Sequence, residues 1–158
     1  MTLISQGADI VTQHTDSTAV VQAAEERGVY AFGYHSDMSK YGPKAHLTAT
    51  THHWGDFYTR TVQEVIAGTW KPTRIWGGFK DDMVRLAPLN PAVPPGLKAE
   101  VEALANKLRA GSFHPFTGPI VDQAGTERLS AGAVMDDVAL GKMDFFVQGV
   151  ASRLPNAR

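Results

Sequence analysis

Residues 8–34 read ADIVTQHTDSTAVVQAAEERGVYAFGY, and their order of patterns decides the fold class. Ala8 to Gln13, with Ile10 and Val11 at its centre, predicts a short first strand. Thr15 or Asp16 is placed to cap the helix that follows, because a side-chain oxygen there can accept from an orphan N–H of the first turn. That helix runs to about Arg27, with Val20, Val21, Ala23 and Ala24 as its apolar side. Gly28 ends it, since glycine enters the left-handed conformation without a Cβ penalty. Val29 to Tyr34 is rich in aromatic and β-branched residues and predicts a second strand. A strand–helix–strand unit implies a parallel pair joined by a right-handed crossover.

The same alternation continues outward. His35 to Lys44 is a polar loop, and Ala45 to Thr51 predicts a third strand. Trp54, Phe57, Tyr58, Val62, Val65 and Ile66 recur at helical spacing, with Gly68 as the stop. Arg74–Gly78 and Met83–Leu89 predict short strands on either side of the Gly77–Lys80 turn. Pro88, Pro91, Pro94 and Pro95 punctuate a linker. Proline suits a helical first turn, so the next helix is expected over Pro95–Ala110, closed by Gly111. Phe113–Phe116 is expected to be extended, Asp122–Gly125 to be a hairpin turn, and Asp136–Val150 to be helical. The whole reads as an α/β chain with a mostly parallel sheet flanked by helices.

Composition narrows the function. The 158 residues suffice for one domain, and a net charge of -1 with 20% charged residues lacks the basic excess of a nucleic-acid binder. No apolar run approaches the roughly 20 residues that span a bilayer. The absence of cysteine rules out disulfides, thiolate zinc sites and cysteine nucleophiles. The opening MTLISQGADIV has no basic segment followed by an apolar one, so no signal peptide is expected in this chain.

In an open α/β sheet, ligands bind beyond the carboxyl ends of the strands. That rule selects the loop His14-Thr15-Asp16-Ser17-Thr18 after the first strand and His35-Ser36-Asp37-Met38 after the second. A parallel pair sets these loops side by side. The Gly77-Gly78-Phe79-Lys80-Asp81-Asp82 turn adds a lysine between an aromatic ring and two acids. Each has a structural alternative: Asp16 as a cap, Asp37 as a turn residue, Lys80 as a solvated charge, and Trp54, Trp70 and Trp76 as packing residues. Six histidines, at positions 14, 35, 46, 52, 53 and 114, raise the question of a metal. Adjacent His52 and His53 point in different directions on a strand, and no HExxH pair occurs, so no metal or other cofactor is expected. GGFKDD is not a phosphate loop, and neither GxGxxG nor GxSxG appears. Ser17, His35 and Asp37 could be assembled into a hydrolytic set, but so could residues of most polar loops.

These segments carry a family likeness. GADIVTQHTDSTAVVQAAEERGVYAFGYHSDM (7–38), YGPKAHLTATTHHWG (41–55) and WGGFKDDMVRLAP (76–88) resemble the basic membrane protein family. AGSFHPFTGPIVDQAG (110–125) and AGAVMDDVALGKMDFFVQGV (131–150) extend the resemblance over essentially the whole chain. Its members are substrate-binding proteins of ABC transporters, purine-nucleoside receptors among them. The resemblance implies a partial type I periplasmic-binding-protein fold, in which two α/β lobes close on a ligand by a hinge motion. Residues 1–158 would then be the C-terminal portion of such a protein, most of its second lobe with the returning segments, the first lobe being absent.

Carried over by motif, the resemblance implies ligand contacts from His14, Thr15, Asp16, Ser17, His35, Asp37 and Lys80. Many relatives have an aspartate at the position of His35. Imidazole lacks that full charge, so a free base such as adenine is as well suited as a nucleoside. The implied partners are a purine-like small molecule and, in the full-length parent, a transporter permease. The implied location is the periplasm or an anchored extracytoplasmic position, as in a lipoprotein. No catalysis is expected. The competing readings are a small α/β hydrolase or nucleoside-processing enzyme using Asp16, His35 and Asp37, and a sensor module of the same fold. With only part of the cleft and with sheet edges uncovered, the chain is expected to bind ligand weakly and to self-associate.

Overall fold

Strand β2 (Tyr30–His35) lies inside a four-stranded sheet, between β1 (Ile10–Val11) and β3 (His46–His52). Both pairings are parallel, with Ile10 opposite Tyr30 and Gly33 opposite Ala49. β4 (Val84–Leu86) closes the far edge antiparallel to β3, with Arg85 opposite Thr51. The computed structural model describes residues 1–152 and separates into two units, Met1–Gly111 and a second beginning at Ser112.

In the first unit, α1 (Thr2–Ser5) precedes β1, and α2 (Ala19–Arg27) connects β1 to β2. α2 buries Val21 and Ala24, three residues apart and therefore on one helical face. They pack with Val11, Ala31, Met38 and Ala45 as the core cluster. Gly42 is required here, because a Cβ at that position would stand 2.8 Å from Val21 Cγ1. Gly28 closes α2 with φ 68°, the left-handed geometry expected of it. The Glu25 carboxylate accepts the backbone N–H groups of Lys44 and Ala45, at 2.9 and 2.7 Å, tying α2 to the entry of β3. Asn90 donates to the carbonyls of Pro43 and His46 and fastens the proline-rich segment to the same place. α3 (Gly55–Ile66) and α4 (Pro95–Arg109) complete the unit, and proline opens α4 as expected.

Several expectations are corrected. The first strand is two residues long, not six. The helix after it begins at Ala19 with Thr18 as N-cap, and neither Thr15 nor Asp16 caps it. Instead Ser17 Oγ accepts from Ala19 N at 3.2 Å. Arg74–Gly78 forms no strand, and the antiparallel neighbour of β3 is β4 alone among the described residues. The three tryptophans are not core residues: Trp54, Trp70 and Trp76 are all exposed, Trp76 by 74%.

The second unit is built on β5 (Ile120–Val121) and β6 (Glu127–Leu129), an antiparallel pair around the expected turn. Asp122 organises that turn: Oδ1 accepts from Ala124 N and Thr126 N, and Oδ2 accepts from Arg128 Nε at 2.6 Å. The Thr126 N–H and then the Arg128 guanidinium hold its carboxyl below the ordinary carboxylate range. Phe113–Phe116 is not a strand; pairing starts with an isolated bridge between Thr117 and Val134. The expected helix over Asp136–Val150 is also corrected. α5 covers only Asp137–Leu140, capped by Asp136, whose carboxylate accepts from Ala139 N. Beyond it the backbone pairs with β5 and its turn: Gln123 N donates to Phe146 O, and Gln148 N donates to Val121 O. Those bonds are incompatible with a continuing helix, whose amides are consumed internally.

Candidate ligand site at the strand ends

Three parallel strands finish on the same side of the sheet, and each delivers an imidazole there. His14 follows β1, His35 is the last residue of β2, and His52 is the last residue of β3. His35 has φ 66°, a left-handed conformation uncommon for a residue with a Cβ. Strain of this kind persists where surrounding contacts over-determine it. Here those contacts are polar on both ring nitrogens. His35 Nε2 lies 2.9 Å from Asp16 Oδ1, and His35 Nδ1 lies 2.9 Å from His52 Nδ1. Alongside, Tyr34 Oη is 2.7 Å from His14 Nε2. The Tyr34 ring centroid is 3.7 Å from that of His35 and 4.2 Å from that of His14. The result is a patch of four rings and a carboxylate, only partly covered by protein.

The motif residues fall into distinct positions around it. Asp16 and His35 are joined directly, and His14 enters through Tyr34. Thr15 donates to Gln13 Oε1 at 2.9 Å, and Ser17 is engaged by the Ala19 amide. Asp37 turns away: its Oδ1 accepts from Ser39 N at 2.9 Å and lies 4.0 Å from His46 Nδ1. The Ser39 backbone N–H, with the Ser39 hydroxyl, keeps the Asp37 carboxyl below its usual range. Lys80 is exposed in the turn before β4 and has no hydrogen bond or ion pair with the described residues.

Two residues of the patch, Tyr34 and His52, are absent from the candidates read off the sequence. The signal was present, because the strand-end rule that selects His35 applies equally to the last residue of β3. His52 and His53 do diverge, as adjacent strand residues must. His53 Nε2 is 2.9 Å from an Arg85 terminal nitrogen, and Arg85 is paired with Asp82. His53, Phe57, Trp76 and Asp82 line a separate cavity of about 330 Å³. Among the described residues, no three His, Asp or Glu side chains converge on a point that could hold a metal ion. His46 is the opposite case to His35. It is 1% exposed, its Nε2 has no hydrogen-bond partner, and burial pushes its pKa down against the opposing pull of Asp37.

Chemically, the patch offers aromatic faces, hydrogen-bonding nitrogens and one carboxylate. Such a surface can hold a flat polar solute by stacking and hydrogen bonding. Asp16, His35 and Asp37 do not form one connected set, since Asp37 faces His46 and Ser39.

A family model and curated relatives place the chain among substrate-binding proteins of ABC transporters. A family model of PnrA-like ABC transporter substrate-binding proteins matches residues 1–109. A purine-binding protein of Brucella abortus is 46% identical over 153 residues, which is 97% of this chain and 43% of that protein. A putative ABC transporter glucose-binding protein of Haloferax volcanii is 27% identical, covering 98% of this chain and 37% of its own. The chain therefore spans less than half the length of these curated relatives. Among solved structures, a transcriptional activator of the comK gene from Bacillus halodurans matches 72% of the chain with a TM-score of 0.64 and 22% identity. An ABC transporter solute-binding protein from Conexibacter woesei matches 72% of the chain with a TM-score of 0.55. It, too, is 22% identical, so both structural matches speak to the fold alone.

Proposed function

The chain belongs to the PnrA-like family of ABC transporter substrate-binding proteins, and on that premise we propose that it contributes one wall of a ligand cleft for a purine base or a similarly flat polar solute. The observation that carries this reading is the Asp16–His35–His52 line beside Tyr34 and His14, assembled at the carboxyl ends of three parallel strands. Residues 1–158 are read, from the order of their matched motifs, as the C-terminal portion of a longer two-lobed protein; they cover 43% of the Brucella relative. The purine assignment draws support from the name of that relative; of the residues that the family resemblance implies as contacts, His14, Asp16 and His35 lie in the patch, Thr15 and Ser17 flank it, Lys80 stands exposed in the turn before β4, and Asp37 is turned toward Ser39 and His46. The full-length protein works outside the cytoplasm, hands its solute to a permease and returns it chemically unchanged.

This chain also exposes apolar surface: Ile10, Tyr30 and Phe32 on the sheet, and Tyr58, Val62, Val65 and Ile66 on α3. Contiguous apolar surface of this kind favours association, so the isolated chain self-associates and binds solute weakly. Titration calorimetry of the full-length protein with adenine, guanine and their nucleosides, set against glucose, tests the ligand reading. Binding of a purine with no uptake of glucose is the expected result. Glucose binding with no response to any purine overturns it.

A further inference from the structure

We infer that Asp16, His35 and His52 form a directed hydrogen-bond chain that makes His52 Nε2 an acceptor reserved for an N–H group of the solute. This rests on the cleft reading above and names a residue that the motif comparison does not supply.

The direction follows from donor and acceptor inventories. A carboxylate only accepts, so at 2.9 Å from Asp16 Oδ1 the proton sits on His35 Nε2. The direction applies to the neutral form of His35, in which a ring with its proton on Nε2 has a lone pair on Nδ1. His35 Nδ1 faces His52 Nδ1 at 2.9 Å, and two lone pairs cannot share that distance, so His52 donates from Nδ1. His52 is then bare at Nε2. That atom has no hydrogen bond with the described residues and is not a buried orphan, as His46 Nε2 is. One carboxylate thus sets the tautomer of two rings, and the far end presents a lone pair at the strand ends. The partner nitrogen of a histidine generally decides its tautomer in this way. The left-handed backbone of His35 positions its ring so that both nitrogens are engaged at once.

The ligand chemistry is correspondingly narrow. A bare Nε2 takes a ring N–H or an exocyclic amine and rejects a lone pair at the same place. Heterocycles such as adenine carry such donors on the edge of a flat ring. Tyr34 stands next to the relay, with its ring centroid 5.8 Å from that of His52.

The test has a ligand-free arm and a binding arm. Long-range ¹H–¹⁵N NMR of the chain at slightly alkaline pH reads each imidazole tautomer directly. His35 is expected with its proton on Nε2, and His52 with its proton on Nδ1. Asp16→Ala should release the relay and return His52 to a mixture dominated by the Nε2 proton. In the full-length protein, His52→Phe retains a ring without the acceptor. It should weaken adenine binding about tenfold or more, with an unchanged circular-dichroism spectrum. His52 protonated on Nε2 in the wild type, or His52→Phe binding adenine as tightly as wild type, overturns the inference. If the wild type takes up no purine at all, the purine reading fails. The tautomers in wild type and Asp16→Ala then decide by themselves whether the relay exists.

Discussion

α2 and α3 both carry apolar residues at helical spacing, the more sharply segregated stripe being that of α3, and they meet opposite fates. α2 buries Val21 and Ala24 completely, each 0% exposed, against β1, β2 and the loop leading into β3. α3 sets Tyr58, Val62, Val65 and Ile66 at the i, i+4, i+7 and i+8 positions of one face, yet buries none of its residues. Ile66 is 81% exposed. The sheet shows the same asymmetry: Ala31 and Gly33 of β2 are buried, while Tyr30 and Phe32, which alternate with them, are exposed. An apolar stripe therefore declares which face would gain from burial. Whether anything covers that face depends on surfaces elsewhere.

The largest contrast should come from truncating the two stripes. Val21→Ala removes buried methyl groups and leaves a cavity beneath α2, at a cost of about 2 kcal/mol. Val62→Ala removes the same atoms from an exposed position and should shift stability by less than about 0.5 kcal/mol. Urea denaturation of the two variants measures both. Equal losses would mean that α3 is covered in solution.

A second test uses the polar group sealed on the covered side. Burial holds the folded-state pKa of His46 below its unfolded value, so the unfolded chain takes up that proton first as pH falls. The stability linked to His46 is thus complete above the ordinary histidine range near pH ~6.5 and drains away below it, until the folded imidazole also protonates. Thermal denaturation between mildly alkaline and mildly acidic pH should show this fall in the wild type. His46→Gln should flatten it. A variant with an undiminished acid fall would assign the effect to another group.

The smallest effect on stability belongs to the exposed face of α3. Val62→Lys with Ile66→Lys should leave the unfolding midpoint nearly unchanged, within about 0.5 kcal/mol. It should nevertheless lower the mass seen by light scattering if that face recruits a second chain. A wild type that stays at 17.1 kDa at micromolar concentration removes self-association from the proposal.

Local chemistry accounts for the parts that were legible in advance. Gly28, Gly68 and Gly111 all take positive φ where a helix was expected to stop. Pro95 opens α4, and Asp122 turns the hairpin through bonds to its own neighbours. The failures share another cause. Asp16 has the composition of a cap, but His35, nineteen residues on in a different element, takes its carboxylate. The tail after Leu140 has apolar residues enough for a helix, but Gln123 and Val121 take its backbone groups. The candidate site was half visible for the same reason. Strand-end loops pointed to Asp16 and His35, while His52 joins them only because β3 lies beside β2 with Thr51 opposite His35.

What the sequence determined by itself is the alternation of strands and helices, the stops, and the membership of a solute-binding family. These rest on interactions within a few residues or on long runs of matched residues. Tertiary structure alone decided that Asp16 faces an imidazole, that His46 is sealed and His52 is not, and that α2 is covered while α3 is bare. Each of those outcomes depends on which groups arrive from distant positions to compete for one carboxylate, one lone pair or one apolar face. Pairwise desolvation and hydrogen-bond geometry exist only once the strands are in register.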